Sequence, residues 1–109
     1  MQQRQRLTGS KRFTQIHVEG RSAANRLLVI RYLANDSDCS RFGFLVNKRI
    51  GNAAVRNRVK RRLREVVRNN QVKAGWDALF IVRRSAGVAK YQELKNATDN
   101  LLQRANLVD

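Results

Sequence analysis

The sequence predicts an α+β fold, a small four-stranded sheet packed with three helices in the chain order α-β-β-β-α-β-α. Three observations carry that expectation. Apolar residues recur at helical spacing in some segments, and short runs rich in β-branched and aromatic residues fall between them. The 109 residues suffice for one domain with one modest core. Helices that precede, separate and follow strands pack against a single sheet, because each element has an apolar side to bury. Residues 1–9 are polar, basic and glycine-containing, the composition of a flexible basic arm, so the folded domain is placed at 10–109.

In the first helix Ser10 stands where a cap is needed, and Phe13, Ile16 and His17 follow at helical spacing. The run GRSAANR reads as a turn feeding a short strand near 20–25, and LLVIRYLA at 27–34 has the residue types that favour a strand. The polar loop NDSDCS at 35–40 breaks it. In RFGFLVNK at 41–48, Phe42, Phe44 and Val46 alternate with other residues, so the two long runs are expected to pair as an antiparallel hairpin across that loop. Gly51 and Asn52 then supply a break and a cap, and Val55, Val59, Leu63, Val66 and Val67 form one helical stripe. KAGW at 73–76 marks a turn, DALFIVRR at 77–84 a strand and SAGV at 85–88 a loop. Tyr91, Leu94, Leu101, Leu102 and Ala105 stripe a closing helix over 89–105.

Charge narrows the function classes. Lys and Arg number 23 against 8 Asp and Glu, a net charge of +15 with a pI of about 11.6. So large an excess repels itself in a compact chain unless a polyanion relieves it, which points to a nucleic-acid partner. No apolar stretch of the ~18 residues needed to cross a bilayer occurs, and the N-terminus has no secretory pattern, so the expected workplace is the cytosol, with no membrane partner. A single cysteine, Cys39, closes no intrachain disulfide, and with one histidine, His17, no zinc spacing can be written. The acids Glu19, Asp36, Asp38, Glu65, Asp77, Glu93, Asp99 and Asp109 are scattered, and the Asp36–Asp38 pair reads as a solvated turn. No residue of the chain is therefore assigned as catalytic or as a metal ligand.

The second helix differs in kind from a solvated charged face. At ~100° per residue, the arc opposite the apolar stripe carries Arg58, Lys60, Arg61, Arg62, Arg64 and Arg68, while Arg56 falls inside the apolar arc. From Arg56 to Arg68 there are seven basic residues and one acid, Glu65, so like charges sit at neighbouring helical positions without compensation. Phosphates laid against that face would relieve them, and arginine forks suit phosphate oxygens. Base-edge readers are sparse there, Asn57 alone qualifying, and no helix-turn-helix or zinc-finger pattern appears. Phe13, His17 and Tyr32 offer flat rings on which an unpaired base can stack, with core packing the competing role for Phe13.

The run KRIGNAAVRNRVKRRLRE, residues 48–65, resembles the signature of the protein subunit of bacterial ribonuclease P. RLTGSKRFTQIH is similar to that family's N-terminal pattern, RFGFLVNK to its central strand and DALFIVRR to its last, so the resemblance runs from about Arg6 to Leu102. It implies a left-handed β-α-β crossover, against the general preference for right-handed ones. It also implies that a large RNA, with magnesium ions bound mainly by that RNA, cuts precursor tRNA to release its 5′ leader, with no further protein required. Carried over by position, Arg56, Asn57, Arg58, Lys60, Arg61 and Arg64 would touch the catalytic RNA. Arg62 and Arg68 on the same helix and Lys48 and Arg49 before it would extend that surface. Phe13 would line a leader cleft between the first helix and the sheet. His17 stands where the family commonly has a second Phe, and Arg31 where some relatives carry Tyr; both keep a planar group. The competing reading is a ribosomal or ribosome-assembly protein of similar size and charge, since one fold hosts many functions. A compact architectural DNA-binding protein would show dimerisation and wedge residues, and neither is visible.

Overall fold

Seven main elements follow the expected order: α1 (Ser10–Glu19), β1 (Arg21–Ala24), β2 (Leu28–Ala34), β3 (Arg41–Leu45), α2 (Ala53–Asn69), β4 (Trp76–Val82) and α3 (Tyr91–Arg104). The computed structural model describes residues 3–109. Short 3-10 turns occupy Lys48–Ile50, of which the sequence analysis assigns Lys48 to the end of a strand, and Arg84–Val88, which it assigns to a strand end and a loop.

The sheet order is β1-β2-β4-β3, with β1, β2 and β4 antiparallel and β3 parallel to β4. The hairpin expected between the second and third strands does not form, because β4 lies between them. The reason lies in burial and in the loop. Five of the seven β4 residues are buried and they fall on both faces, the pattern of a strand covered on both sides and favoured in the middle of a sheet. The 35–40 loop is shaped by Asn35 instead of a tight hairpin turn. Its side chain accepts from Ser37 N and donates to the Cys39 carbonyl and to Asp77 Oδ1. Strand β3 then reaches β4 in parallel by way of α2, the β-α-β unit that the family resemblance implies.

Alternation along the strands divides the core in two. On one face Leu28, Ile30, Tyr32, Phe42, Ala78, Phe80 and Val82 meet α2 through Val59, Leu63 and Val67, and α3 through Leu94, Leu101 and Leu102. The other face holds a much smaller cluster, in which Leu7, Ile16 and Leu79 are buried and Phe13, Leu33 and Ile81 pack against them. Among the described residues α1 is the one helix packed on this second face, and it covers part of it. Leu7 comes from the segment read as an arm. Its N–H donates to the Phe42 carbonyl at 2.8 Å, and Arg6 bridges Phe42 in parallel on the outer edge of β3. Residues 6 and 7 thus dock on the domain, and Met1 and Gln2 of the expected arm lie outside the described residues.

The start of α2 is specified locally. Gly51 has φ 155°, and a Cβ there would lie 2.9 Å from the Val55 side chain, so the close approach requires glycine. Asn52 Oδ1 then accepts from Val55 N at 3.0 Å, a cap worth about 1 kcal/mol. This fixes the rotation of α2 and therefore the direction in which each of its arginines leaves the domain.

Candidate nucleic-acid interface

Around α2 the apolar stripe is buried at Val59, Leu63, Val66 and Val67, and the basic side chains divide into a crest and two flanks. Asn57, Arg61, Arg64 and Arg68 are exposed, with Glu65 among them. Arg61, Arg64, Glu65 and Arg68 surround a shallow recess of about 210 Å³. On the flank towards β3, the Arg64 guanidinium lies 6.0 Å from the centre of the Phe44 ring, which itself stacks on Phe80. Lys60 and Arg56 stand on the same flank, half-buried. Arg62 and Arg58 lean the other way. Arg62 sits 5.9 Å from the centre of the Tyr91 ring, and Arg58 Nη2 donates to the Gly87 carbonyl at 3.4 Å.

That division refines the sequence reading. The helical wheel placed Arg58 and Arg62 on the free face, but the 3-10 turn Arg84–Val88 and α3 occupy that flank, so their stems pack against protein. Lys48 and Arg49 are exposed beside the start of α2, where Asn47 Oδ1 accepts from Arg49 N and holds the turn.

The electrostatics of this face decide its chemistry. The described residues form five ion pairs, and none involves a basic side chain of α2. Glu65 is the one acid on the helix and is paired with neither Arg61 nor Arg68. An uncompensated cationic face of this kind attracts a polyanion and is weakened by salt.

The partly covered face of the sheet adds a second surface. Cross-strand register aligns Val29, Ile81 and Leu45 in a row across β2, β4 and β3, and α1 leaves it open: Val29 and Ile81 are half-buried and Leu45 is 43% exposed. Phe13, half-buried on α1, borders this row. It also lines a recess of about 200 Å³ that runs round the β3 edge past Leu45 to Lys60 and Arg64. The open face and the basic helix are therefore continuous. His17 is exposed one turn after Phe13. Arg31 sits under the end of α1, where its Nη2 donates to the carbonyls of His17 and Gly20 and its Nε is shielded without a partner. The structure brings Phe13 together with Lys60 and Arg64, whereas the guanidinium of Arg31 is already engaged by the helix. Sequence reasoning missed the row Val29–Ile81–Leu45, because alternation alone did not reveal which face lacks a cover.

It also missed Asp77, whose side chain is completely buried at the start of β4. Arg41 donates to it from Nε at 2.8 Å and Nη2 at 2.6 Å, Arg12 from Nε at 2.7 Å, and Asn35 from Nδ2 at 2.9 Å. Burial pushes this carboxyl upward, but the hydrogen bonds from Arg41, Asn35 and Arg12 together outweigh burial and hold it below the ordinary carboxylate range. The same bond raises Arg41 above its ordinary value.

No group of three or more His, Cys, Asp or Glu side chains that could hold a metal ion exists among the described residues. Asp77 is saturated by its donors, and the exposed pair Asp36 and Asp38 gathers no third acid among the described residues, so their donor set offers no cluster for a magnesium ion. No helix is long and apolar enough to cross a membrane among the described residues.

Comparison with known proteins agrees with the signature at 48–65. The sequence profile of the Ribonuclease P family matches residues 1–106. The ribonuclease P protein component of Dehalococcoides mccartyi is 37% identical over 108 residues, covering 99% of this chain and 90% of the relative, and that of Alkaliphilus oremlandii is 38% identical over 106 residues, covering 95% and 93%. The RNase P protein of Staphylococcus aureus superposes with a TM-score of 0.88 at 30% identity, covering 96% of this chain and 98% of that one. The RNase P protein from Thermotoga maritima gives 0.83 at 31% identity, covering 91% and 96%. The chain belongs to the ribonuclease P protein family, a protein subunit of the endoribonuclease that matures the 5′ ends of tRNA.

Proposed function

We propose that this chain works as an adaptor between two RNAs, binding the catalytic RNA along the α2 crest and the 5′ leader of precursor tRNA across the open sheet face. The observation that carries this reading is the unpaired cationic face of α2 continuous with an apolar groove. Asn57, Arg61, Arg64 and Arg68 contact the catalytic RNA, with Lys48 and Arg49 extending the surface and Arg56, Arg58, Lys60 and Arg62 reaching it from the flanks. Phe13 stacks a leader base, and exposed His17 borders the path. Phosphate neutralisation lets two polyanions approach, and immobilising the leader orients the scissile bond. Magnesium ions are held by the RNA partner, which supplies the hydrolytic chemistry. The workplace is the cytoplasm.

The RNA bound by the protein in the cell tests this reading. Isolation of the tagged full chain under native conditions, followed by sequencing of its RNA, is expected to recover one catalytic RNA species together with precursor tRNA. Ribosomal RNA as the dominant species would overturn the reading in favour of a ribosome-assembly role.

A further inference from the structure

We infer that α1 is seated on the sheet by two arginine pins running in opposite directions, and that these pins, Arg12 to Asp77 and Arg31 to the end of α1, set the geometry of the leader groove. Arg12, Arg31 and Asp77 are on this inference positioning residues for substrate, acting through α1. The inference rests on the leader-groove reading above.

The apolar seat of α1 is small. Ile16 is the only fully buried residue of the helix, and the cluster beneath it adds little beyond Leu7 and Leu79. Hydrogen bonds must supply what apolar area does not. Near the N-terminal end, Arg12 reaches from the helix to the sheet, donating to Asp77 Oδ2, to Gln15 of its own helix and to the Ala34 carbonyl. At the C-terminal end the direction reverses: Arg31 reaches up from β2 to the His17 and Gly20 carbonyls, where the helix dipole favours a cation.

The placement of these pins bears on the groove. Ile16 lies at the centre of the buried side of α1, with Arg12 on one flank and Phe13 and His17 on the other. Arg12 therefore draws the helix towards Leu33, Asp77 and Arg41, which are aligned in register across the sheet, and away from the row Val29–Ile81–Leu45. Without that pull, α1 is free to slide over the open row, and Phe13 loses its position beside Leu45. Asp77 is anchored independently of α1 by Arg41 and Asn35, so it is a fixed post and Arg12 the tie. Arg31, already bonded to helix carbonyls, serves the groove by holding its wall.

The test uses the reconstituted holoenzyme and compares precursor tRNA carrying a leader of several nucleotides with one carrying a single leader nucleotide. For the wild type the longer leader is expected to lower KM. Asp77→Asn and Arg12→Gln are each expected to cut that leader-dependent gain at least threefold, leaving kcat, the KM for the short-leader substrate and the affinity for the catalytic RNA unchanged. Because Asp77 is buried and anionic, it cannot touch the leader, so a leader-specific loss has no direct-contact explanation. Arg31→Gln separates pin from contact: the pin predicts an unchanged salt slope of leader binding, whereas removal of a direct phosphate interaction lowers that slope by about 0.7. Circular dichroism melting confirms that each variant is folded at the assay temperature, and Arg12→Gln, which spares the buried post, remains informative if Asp77→Asn is not. Equal losses on both substrates, or a full leader-dependent gain in Arg12→Gln, would overturn the pins. No leader-dependent gain in the wild type would instead overturn the leader-groove reading itself.

Discussion

Removing three crest charges together, Arg61→Ala, Arg64→Ala and Arg68→Ala, is expected to weaken binding of the catalytic RNA by roughly 10²–10³-fold, at about 1–1.5 kcal/mol for each arginine–phosphate interaction removed. It should also flatten the dependence of log affinity on log salt by about 2–3 units, since each neutralised phosphate contributes about 0.7–0.9. Folding should be nearly unaffected, because the three side chains are exposed and take no part in an ion pair of the described residues. Filter binding over a salt series measures both quantities. Arg58→Ala is the internal contrast. Its guanidinium is half-buried and bonded to Gly87, so its effect on the salt slope should be smaller than that of Arg61→Ala. A triple variant with wild-type slope would place the crest in plain solvent.

Asp77→Ala should be the most destabilising single change at a charged position, by about 2–4 kcal/mol. The substitution orphans donors from α1, the 35–40 loop and β3 at once. The cost stays below that of a wholly buried pair because Arg12 and Arg41 are 20% and 36% exposed and can turn to water. The pH dependence has a defined sign. Asp77 titrates below its ordinary value of 3.8 in the folded protein, so its contribution is fully present above that value and is lost as pH falls through the lower, folded one. Urea melts of the wild type should lose stability below about pH 4, and Asp77→Ala should lack this component. Parallel acid profiles for the two proteins would show that the carboxylate contributes nothing.

Local signals were legible in the sequence. The Gly51-Asn52 start of α2 lies within a few residues of what it controls, and so does its apolar stripe, and both are found where spacing put them. Pairing between distant strands was not legible. The runs at 27–34 and 41–48 look like hairpin partners because they are neighbours in sequence, whereas the burial demanded by both faces of β4 outweighs proximity and inserts it between them. Asp77 was unreadable for a related reason. Its donors come from residues 12, 35 and 41, up to 65 positions away, and no spacing rule links them. On α2 the helical wheel identified which residues are basic but not which flank the Arg84–Val88 turn would cover, so Arg58 and Arg61 looked alike. The family signature compensated for these gaps in function but not in geometry, which decides which arginines are free.

The most direct test of α2 as a docking surface for a catalytic RNA is the cleavage rate of precursor tRNA at limiting magnesium, measured with the RNA alone, with the wild-type protein and with the crest triple variant. Phosphate neutralisation by the crest predicts a low rate for the RNA alone, a large increase with wild-type protein, and a return towards the RNA-alone rate with the triple variant. Equal rates in all three reactions would contradict it.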